Sequence, residues 1–256
     1  LVPLGFLPMA YQMTWRESFI LSGQLFGNGR VLREAGAAVV IPEVEPLAHM
    51  SLRNLGLDDS VAVQAKIQPY AMDSAAEFKP LTGATMVRLL KIEHGRMIEP
   101  EIFSAMQADL GYTQLRAHKA DYIVANEGER VLGAVGFLFE EHDRCVRLTE
   151  LIGEEDDIKG ALLRMAVETA EQKYQAEVLT CDVNAEKPRL QQTLLELGFL
   201  PAAYVPGMVF HRTHRPDVVK MMKLRVPWDL GPIELTDLSR EYFNVVAPRF
   251  EQAGVK

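Results

Sequence analysis

The spacing of apolar residues changes along the chain, and each change marks an element. Residues 8–15 and 18–26 are apolar-rich and read as strands, the second one rich in Phe, Ile and Leu and stopped by Gly27-Asn28-Gly29. Leu47, Met50, Leu52 and Leu55 predict a short helix over 46–55. Residues 61–71 alternate loosely and read as a strand, while 73–82, polar and Pro-containing, read as a connector. The pattern sharpens from Ala84. Met86, Val87, Leu89 and Leu90 predict a strand over 85–92. Pro100 suits a first helical turn, and Ile102, Phe103, Met106 and Leu110 recur at helical spacing, so 99–110 reads as a helix. Residues 121–125 and 131–139 read as strands joined by the hairpin signal Asn126-Glu127-Gly128-Glu129. A strand over 144–152 precedes a helix over 158–174, whose Ile158, Ala161, Leu162, Met165, Ala166 and Ala170 share one stripe. A strand over 177–183 follows, then a helix over 189–197 entered through Pro188 and closed by Gly198. Residues 202–210 and 217–224 form a last strand pair, and 238–246 an aromatic helix. The strand–helix–strand run over 144–183 is a parallel crossover, expected to be right-handed.

An eight-residue phrase occurs twice. Leu4-Gly5-Phe6-Leu7-Pro8-Met9-Ala10-Tyr11 returns as Leu197-Gly198-Phe199-Leu200-Pro201-Ala202-Ala203-Tyr204, identical at seven of eight positions. Self-similarity at a domain-sized interval means a duplicated folding unit. The expectation is the tail of one unit followed by a complete second unit, within a longer tandem parent. The helix at 238–246 echoes the one near Leu47, since each follows the phrase by a similar interval.

Composition narrows the function. With 256 residues, 48% hydrophobic and 24% charged, the chain has the material for a globular core. A net charge of −8 argues against a general binder of nucleic acid or anionic membranes, because little is left to neutralise phosphates. No apolar run approaches the ~20 residues that span a bilayer. Cys145 and Cys181 make no disulfide framework, and a cytoplasmic location is the expectation. Cys181 alternates with Leu179 and Val183 and reads as a core thiol. His94, His118 and His142 lack metal-ligand spacing, and no metal is expected. His211 and His214, beside Arg212 and Arg215, read as a solvated hairpin end, with an anion site as the alternative. No nucleophile elbow, Walker loop or dinucleotide fingerprint occurs.

Three features, in this order, resemble the GCN5-related N-acetyltransferase family: the hairpin strand Val131-Leu132-Gly133-Ala134-Val135-Gly136-Phe137, the strand and loop leading into Ala161-Leu162-Leu163-Arg164-Met165-Ala166, and Val183-Asn184 followed by a helix and Leu197-Gly198-Phe199. The likeness covers roughly residues 84–226. It implies an α/β (α+β) fold with a mixed, mostly antiparallel sheet, a splayed parallel strand pair and flanking helices. The domain plan that follows has 1–57 as the C-terminal tail of a preceding unit of this kind, 58–83 as connector, 84–226 as the acetyltransferase-like domain and 227–256 as a helical extension. The implied activity is acetyl transfer from acetyl-CoA to an amine on a small molecule or peptide. The alternative is a degenerate, non-catalytic unit with a packing, ligand-binding or regulatory role. Implied partners are the upstream domain of the same parent chain and, as the other option, a second copy.

The resemblance also implies site residues. Acetyl-CoA would lie between the splayed strands along Leu151 and Ile152, with its pyrophosphate at the helix start formed by Asp157, Ile158, Lys159, Gly160 and Ala161. A helix N-terminus suits an anion by its unpaired N–H groups and dipole. Yet Glu154, Glu155, Asp156 and Asp157 stand where the family carries a basic or Gln residue and glycines. Unit charges ~4 Å apart interact by ~1 kcal/mol in water and several times more when partly buried, against ~0.3–1 kcal/mol from the helix dipole. The structural reading makes Asp156 or Asp157 an N-cap. Glu150 matches a position used as general base, with a solvated face or ion pair as the other reading. The family's usual acid position holds Leu194, which has no proton to give, so Tyr204 is the substitute, with a core aromatic as the alternative. Asn184 serves either the cofactor's amide arm or the cap of the Pro188 helix. A third reading has the acids bind a basic ligand or cation.

Overall fold

The computed structural model describes residues 8–14, 18–23, 33–82, 92–93, 96–97, 100–103, 120–209, 214–226 and 234–252. The elements are β1 (Pro8–Thr14), β2 (Ser18–Gly23), β3 (Val39–Val40), α1 (Glu45–Asn54), β4 (Ala62–Val63), β5 (Glu77–Thr82), β6 (Ile92–Glu93), β7 (Arg96–Met97), β8 (Ile102–Phe103), β9 (Asp121–Glu127), β10 (Arg130–Glu140), β11 (Cys145–Gly153), α2 (Lys159–Gln172), β12 (Val178–Asn184), α3 (Pro188–Glu196), β13 (Leu200–Val205), β14 (Val218–Leu224) and α4 (Asp237–Gln252). Ten strands form one sheet in the order β2-β1-β13-β14-β12-β11-β10-β9-β5, with β8 added to β12 off that path. Within this sheet β11 and β12 run parallel and the other pairs antiparallel. This is the expected mixed α/β architecture, with a mostly antiparallel sheet, a parallel strand pair and flanking helices.

Local chemistry explains the main elements. The β9–β10 hairpin turns at Gly128, whose φ of 59° costs a glycine nothing. On α2, Ala161 is buried, and Leu162, Leu163, Ala166, Val167 and Ala170 are buried in one core with Ile123, Ala125, Val135 and Leu151 of the sheet. The alanines in that stripe bring the helix close to the strands. α3 begins at Pro188 and ends before Gly198, whose φ of 86° lets Phe199 N–H reach back to the Leu194 carbonyl. No helix among the described residues is long and apolar enough to cross a membrane.

Three expectations change. Residues 77–82 are not connector but the edge strand β5, paired with β9 along its length. Polar Glu77 and Lys79 flank Phe78, and an edge tolerates the proline that follows. Of 61–71, Ala62 and Val63 alone are strand, parallel to Val39 and Val40. Ile102 and Phe103, expected on a helix, form β8 instead. Pro100 and Glu101 are not helical either; residues 85–91 of the strand expected over 85–92, residues 99 and 104–110 of the expected helix and the Gly27-Asn28-Gly29 stop lie outside the described residues.

The repeated phrase meets its copy. β1 pairs antiparallel with β13, and Ala10 stands opposite Ala203, the same position in each phrase. The two copies are thus related by a local two-fold axis. The helices follow suit: α1 packs on β13, α4 packs on β1, and α1 touches α4, with the Ser51 hydroxyl 2.9 Å from that of Tyr242.

A buried cluster ties residue 33 to the same region. The Asp217 carboxylate accepts hydrogen bonds from Arg33 (Nε at 2.8 Å and Nη2 at 2.7 Å), from the Gly207 N–H at 2.8 Å and from the Tyr204 hydroxyl. The Arg33 and Asp217 side chains are almost wholly buried. Removing one member strands the other's charge, which costs about 3–5 kcal/mol. Asp217→Ala is therefore expected to lower the unfolding free energy by about that much in urea titration, and more than Tyr204→Phe does.

Candidate functional site

The site is set by a strand that changes direction. In the β10–β11 ladder Gly136 faces Glu150 and Phe137 faces Leu148, so Thr149 is an extra residue, a bulge. Parallel pairing of β11 with β12 runs from Cys145 opposite Val178 to Leu148 opposite Cys181 and stops there. A bulge bends its strand and increases its twist. Beyond it the two strands part, as the splayed pair requires. The bulge leaves Glu150 half-buried, its Oε2 accepting a hydrogen bond of 3.2 Å from the Tyr122 hydroxyl. The Tyr122 ring lies on Gly136, where a Cβ would stand 2.6 Å from its Cε1. Burial first, and then the Glu150 carboxylate, push the Tyr122 phenol up, so it stays a donor.

The opening contains part of this chain. β8 pairs with the outer half of β12, Phe103 opposite Asp182 and Ile102 opposite Val183. Asn184 N–H extends the ladder to the Glu101 carbonyl at 2.8 Å. β8 also lies against β11. Ile102 is buried in the main core and Phe103 beside Val209 and Val218.

Next to β8 is an ionic cluster at the start of α2. The buried Glu101 carboxylate accepts from Lys159 Nζ and, at 2.9 Å, from the Tyr70 hydroxyl. Lys159 also donates to Asp156 at 2.6 Å, and Arg189 to Asp156 at 2.9 Å. The Arg189 guanidinium lies 4.4 Å from the Tyr70 ring centre. Burial alone would lower the Lys159 ammonium, but the neighbouring carboxylates, Glu101 foremost, outweigh it and raise its pKa. Burial, then Glu101, push the Tyr70 phenol up. Residues 70–71 cross directly over Gly160, where a Cβ would overlap the Ala71 carbonyl oxygen and stand 2.7 Å from that of Tyr70. Tyr70 N–H is anchored in turn to Thr193 Oγ1 at 2.8 Å.

The sequence-derived residues fall as follows. Leu151 and Ile152 are buried in clusters on opposite faces of the sheet. Asp157 is exposed, Ile158 and Ala161 are core, and Gly160 is covered. Neither Asp156 nor Asp157 caps α2: its N-cap is Ile158, without a side-chain bond, and Asp156 is engaged with Lys159 and Arg189. Asn184 does not cap α3 either. Its Oδ1 accepts from Glu186 N–H at 3.0 Å and its Nδ2 donates to the Pro100 carbonyl at 3.5 Å. Tyr204 is fully buried with its hydroxyl on Asp217, and Leu194 and Cys181 are core. Tyr70, Glu101 and Tyr122 are the residues that pattern reading missed. A helical assignment hid Glu101, and no motif marked the two tyrosines.

Beside the cluster a groove of about 420 Å³ is rimmed by Asp73, Glu127, Glu154, Glu155 and Asp157, with Arg130 paired to Glu154. No group of three metal-ligating side chains occurs among the described residues. Acyl-CoA does not fit the residues as they stand. β8 fills the parting of the strands, carbonyl oxygens cover Gly160, and the acids flank the helix start.

No protein-family model matches the chain, and no curated protein does. Among solved structures, a chimeric spermidine N-acetyltransferase SpeG from Vibrio cholerae aligns with 67% of this chain and 99% of its own, at 14% identity and a TM-score of 0.46. A dodecameric spermidine N-acetyltransferase from the same organism aligns with 59% of this chain and 95% of its own, at 14% identity and 0.46. The manganese complex of SpeG aligns with 60% and 95%, at 17% identity and 0.44. At these identities the likeness concerns the fold alone.

Gly160→Ala tests the crossing over α2. Its methyl group meets backbone oxygen, which cannot swing aside as a side chain would. The expected loss is about 1–3 kcal/mol, read as a lower melting temperature together with faster proteolysis near Tyr70.

Proposed function

We propose that this chain is a unit of the GCN5-related N-acetyltransferase fold that does not carry out acyl transfer and serves instead as a packing and regulatory unit of a tandem protein. The observation that carries this reading is the presence of β8 between the parted strands. Three others support it: the acids at the start of α2, the covered Gly160, and the absence of a proton donor at Leu194. Its partner is an upstream unit of the same fold in the parent chain, and the two-fold meeting of β1 with β13 supports that partner. No step through acetyl-CoA is derived. Melting with and without millimolar acetyl-CoA tests the reading. A ligand bound with Kd near 10 µM would add ~2.7 kcal/mol at about 1 mM, a shift of several degrees. No shift is expected, and a shift of that size would refute the closed reading.

A second reading is acetyl transfer from acetyl-CoA to an amine, on a small molecule or peptide. It is favoured by Glu150, which the bulge places on the parted strand under the Tyr122 hydroxyl. In it the Glu150 carboxylate would hold the proton that the amine gives up, and Leu151 and Ile152 would belong to the strand that holds the cofactor. General-base catalysis contributes typically 10²–10⁴-fold. If this reading holds, Glu150→Gln lowers kcat by about that factor in an assay of CoA thiol release with a panel of primary amines. A rate equal to the parent's removes Glu150 from the mechanism.

A further inference from the structure

The ten-stranded sheet ends in two unlike edges. At one, β5 carries Glu77 and Lys79, both largely exposed, and then Pro80. Charge and proline are the usual means by which an edge is kept from pairing. At the other, β2 reads Ser18-Phe19-Ile20-Leu21-Ser22-Gly23, with neither charge nor proline. In a chain of net charge −8, this edge lacks the protection that the opposite one has.

The hairpin that holds β2 has a counterpart in the same sheet. In β1–β2, Pro8 stands opposite Gly23 and Ala10 opposite Ser22, so Met9 is one residue too many. In β13–β14, Pro201 stands opposite Met221 and Ala203 opposite Lys220, so Ala202 is the extra residue. The two bulges fall at the same position of the repeated phrase. Tyr11 opposite Leu21 and Tyr204 opposite Val219 continue the match. β2 is therefore the structural equivalent of β14, although their sequences differ. β14 has a strand on each side. One is β13, and the other is β12, antiparallel to it with Val219 opposite Val183 and Lys220 opposite Asp182. Among the described residues β2 is paired with β1 alone.

We infer that the outer edge of β2 is an interaction surface for one strand, the upstream unit's equivalent of β12, added antiparallel so that its counterpart of Val183 stands opposite Leu21. The inference rests on the tandem reading proposed above and names the surface by which that partner is held. Three observations carry it: the shared bulge makes β2 the copy of β14, β14 takes such a strand, and the β2 edge is left unguarded. Main-chain hydrogen bonds supply the affinity of a strand added to an edge. The β1–β13 contact then lies at the centre of one sheet common to both units.

The test uses the full chain and reads amide hydrogen exchange over β1 and β2. The probe is a synthetic peptide of residues 177–185, the sequence of β12 itself. A control peptide carries Cys181→Pro and Asp182→Pro, which remove strand donors on both sides. The expected result has β1 protected and part of β2 exchanging freely in the chain alone. The β12 peptide then slows those β2 amides about tenfold, and the control peptide does not. If β2 is open and the β12 peptide gives no protection, or the proline peptide protects equally, the inference falls, while the tandem reading stands on the β1–β13 contact. If β2 is fully protected in a monomeric chain without peptide, or becomes protected as the chain dimerises, the edge has another occupant and the inference falls. If β1 exchanges as freely as an unfolded segment, the two copies do not meet, and the tandem reading falls with it.

Discussion

The rest of the structure depends on where one parallel pairing stops. β11 and β12 share a ladder from Cys145 and Val178 to Leu148 and Cys181, and the next residue, Thr149, is one too many for the partner strand β10. A single inserted residue cannot be absorbed without bending. The bend removes β11 from β12 and leaves the outer half of β12 without its parallel neighbour. Backbone groups in such a place must find other partners. β8 supplies them, and Glu101 then comes within reach of Lys159. Bulge, opening, β8 and ionic cluster are thus steps of one chain of causes.

Much of this was legible from the residues alone. The α2 stripe, the β9–β10 hairpin and α3 between Pro188 and Gly198 stand where periodicity and turn chemistry put them, because their signals are local. The edge strand β5 was hidden by its proline and charges, which are features of an edge. β8 was illegible for another reason. Ile102 and Phe103 are adjacent apolar residues, and nothing in a two-residue stretch separates a helix turn from a strand that pairs with a sequence-distant partner. The bulge at Thr149 left no mark either, since it exists only as a mismatch between two strands. Glu150 was identified as a candidate from its family position, whereas its contact with Tyr122 depends on Gly136 lying beneath the ring.

The acids before α2 show how the same residues change meaning in three dimensions. In sequence, Glu154 to Asp157 are a block of like charge opposed to a phosphate. In the fold Asp156 is the link between Lys159 and Arg189, and Glu154 is paired with Arg130. Part of the block is therefore neutralised, by the adjacent Lys159 and by Arg130 and Arg189, which sequence distance concealed, and Glu155 and Asp157 remain on the rim of the groove.

The opposition of Ala10 to Ala203 carries a different kind of consequence. Equivalent strands that meet across a two-fold axis are the geometry of an isologous dimer, here made within one polypeptide. Two separate subunits must find each other and lose that contact on dilution. Copies joined by a linker meet at an effective concentration fixed by the linker, near millimolar for short ones, whatever the concentration in solution. The symmetric contact between the two phrases is thereby freed from mass action.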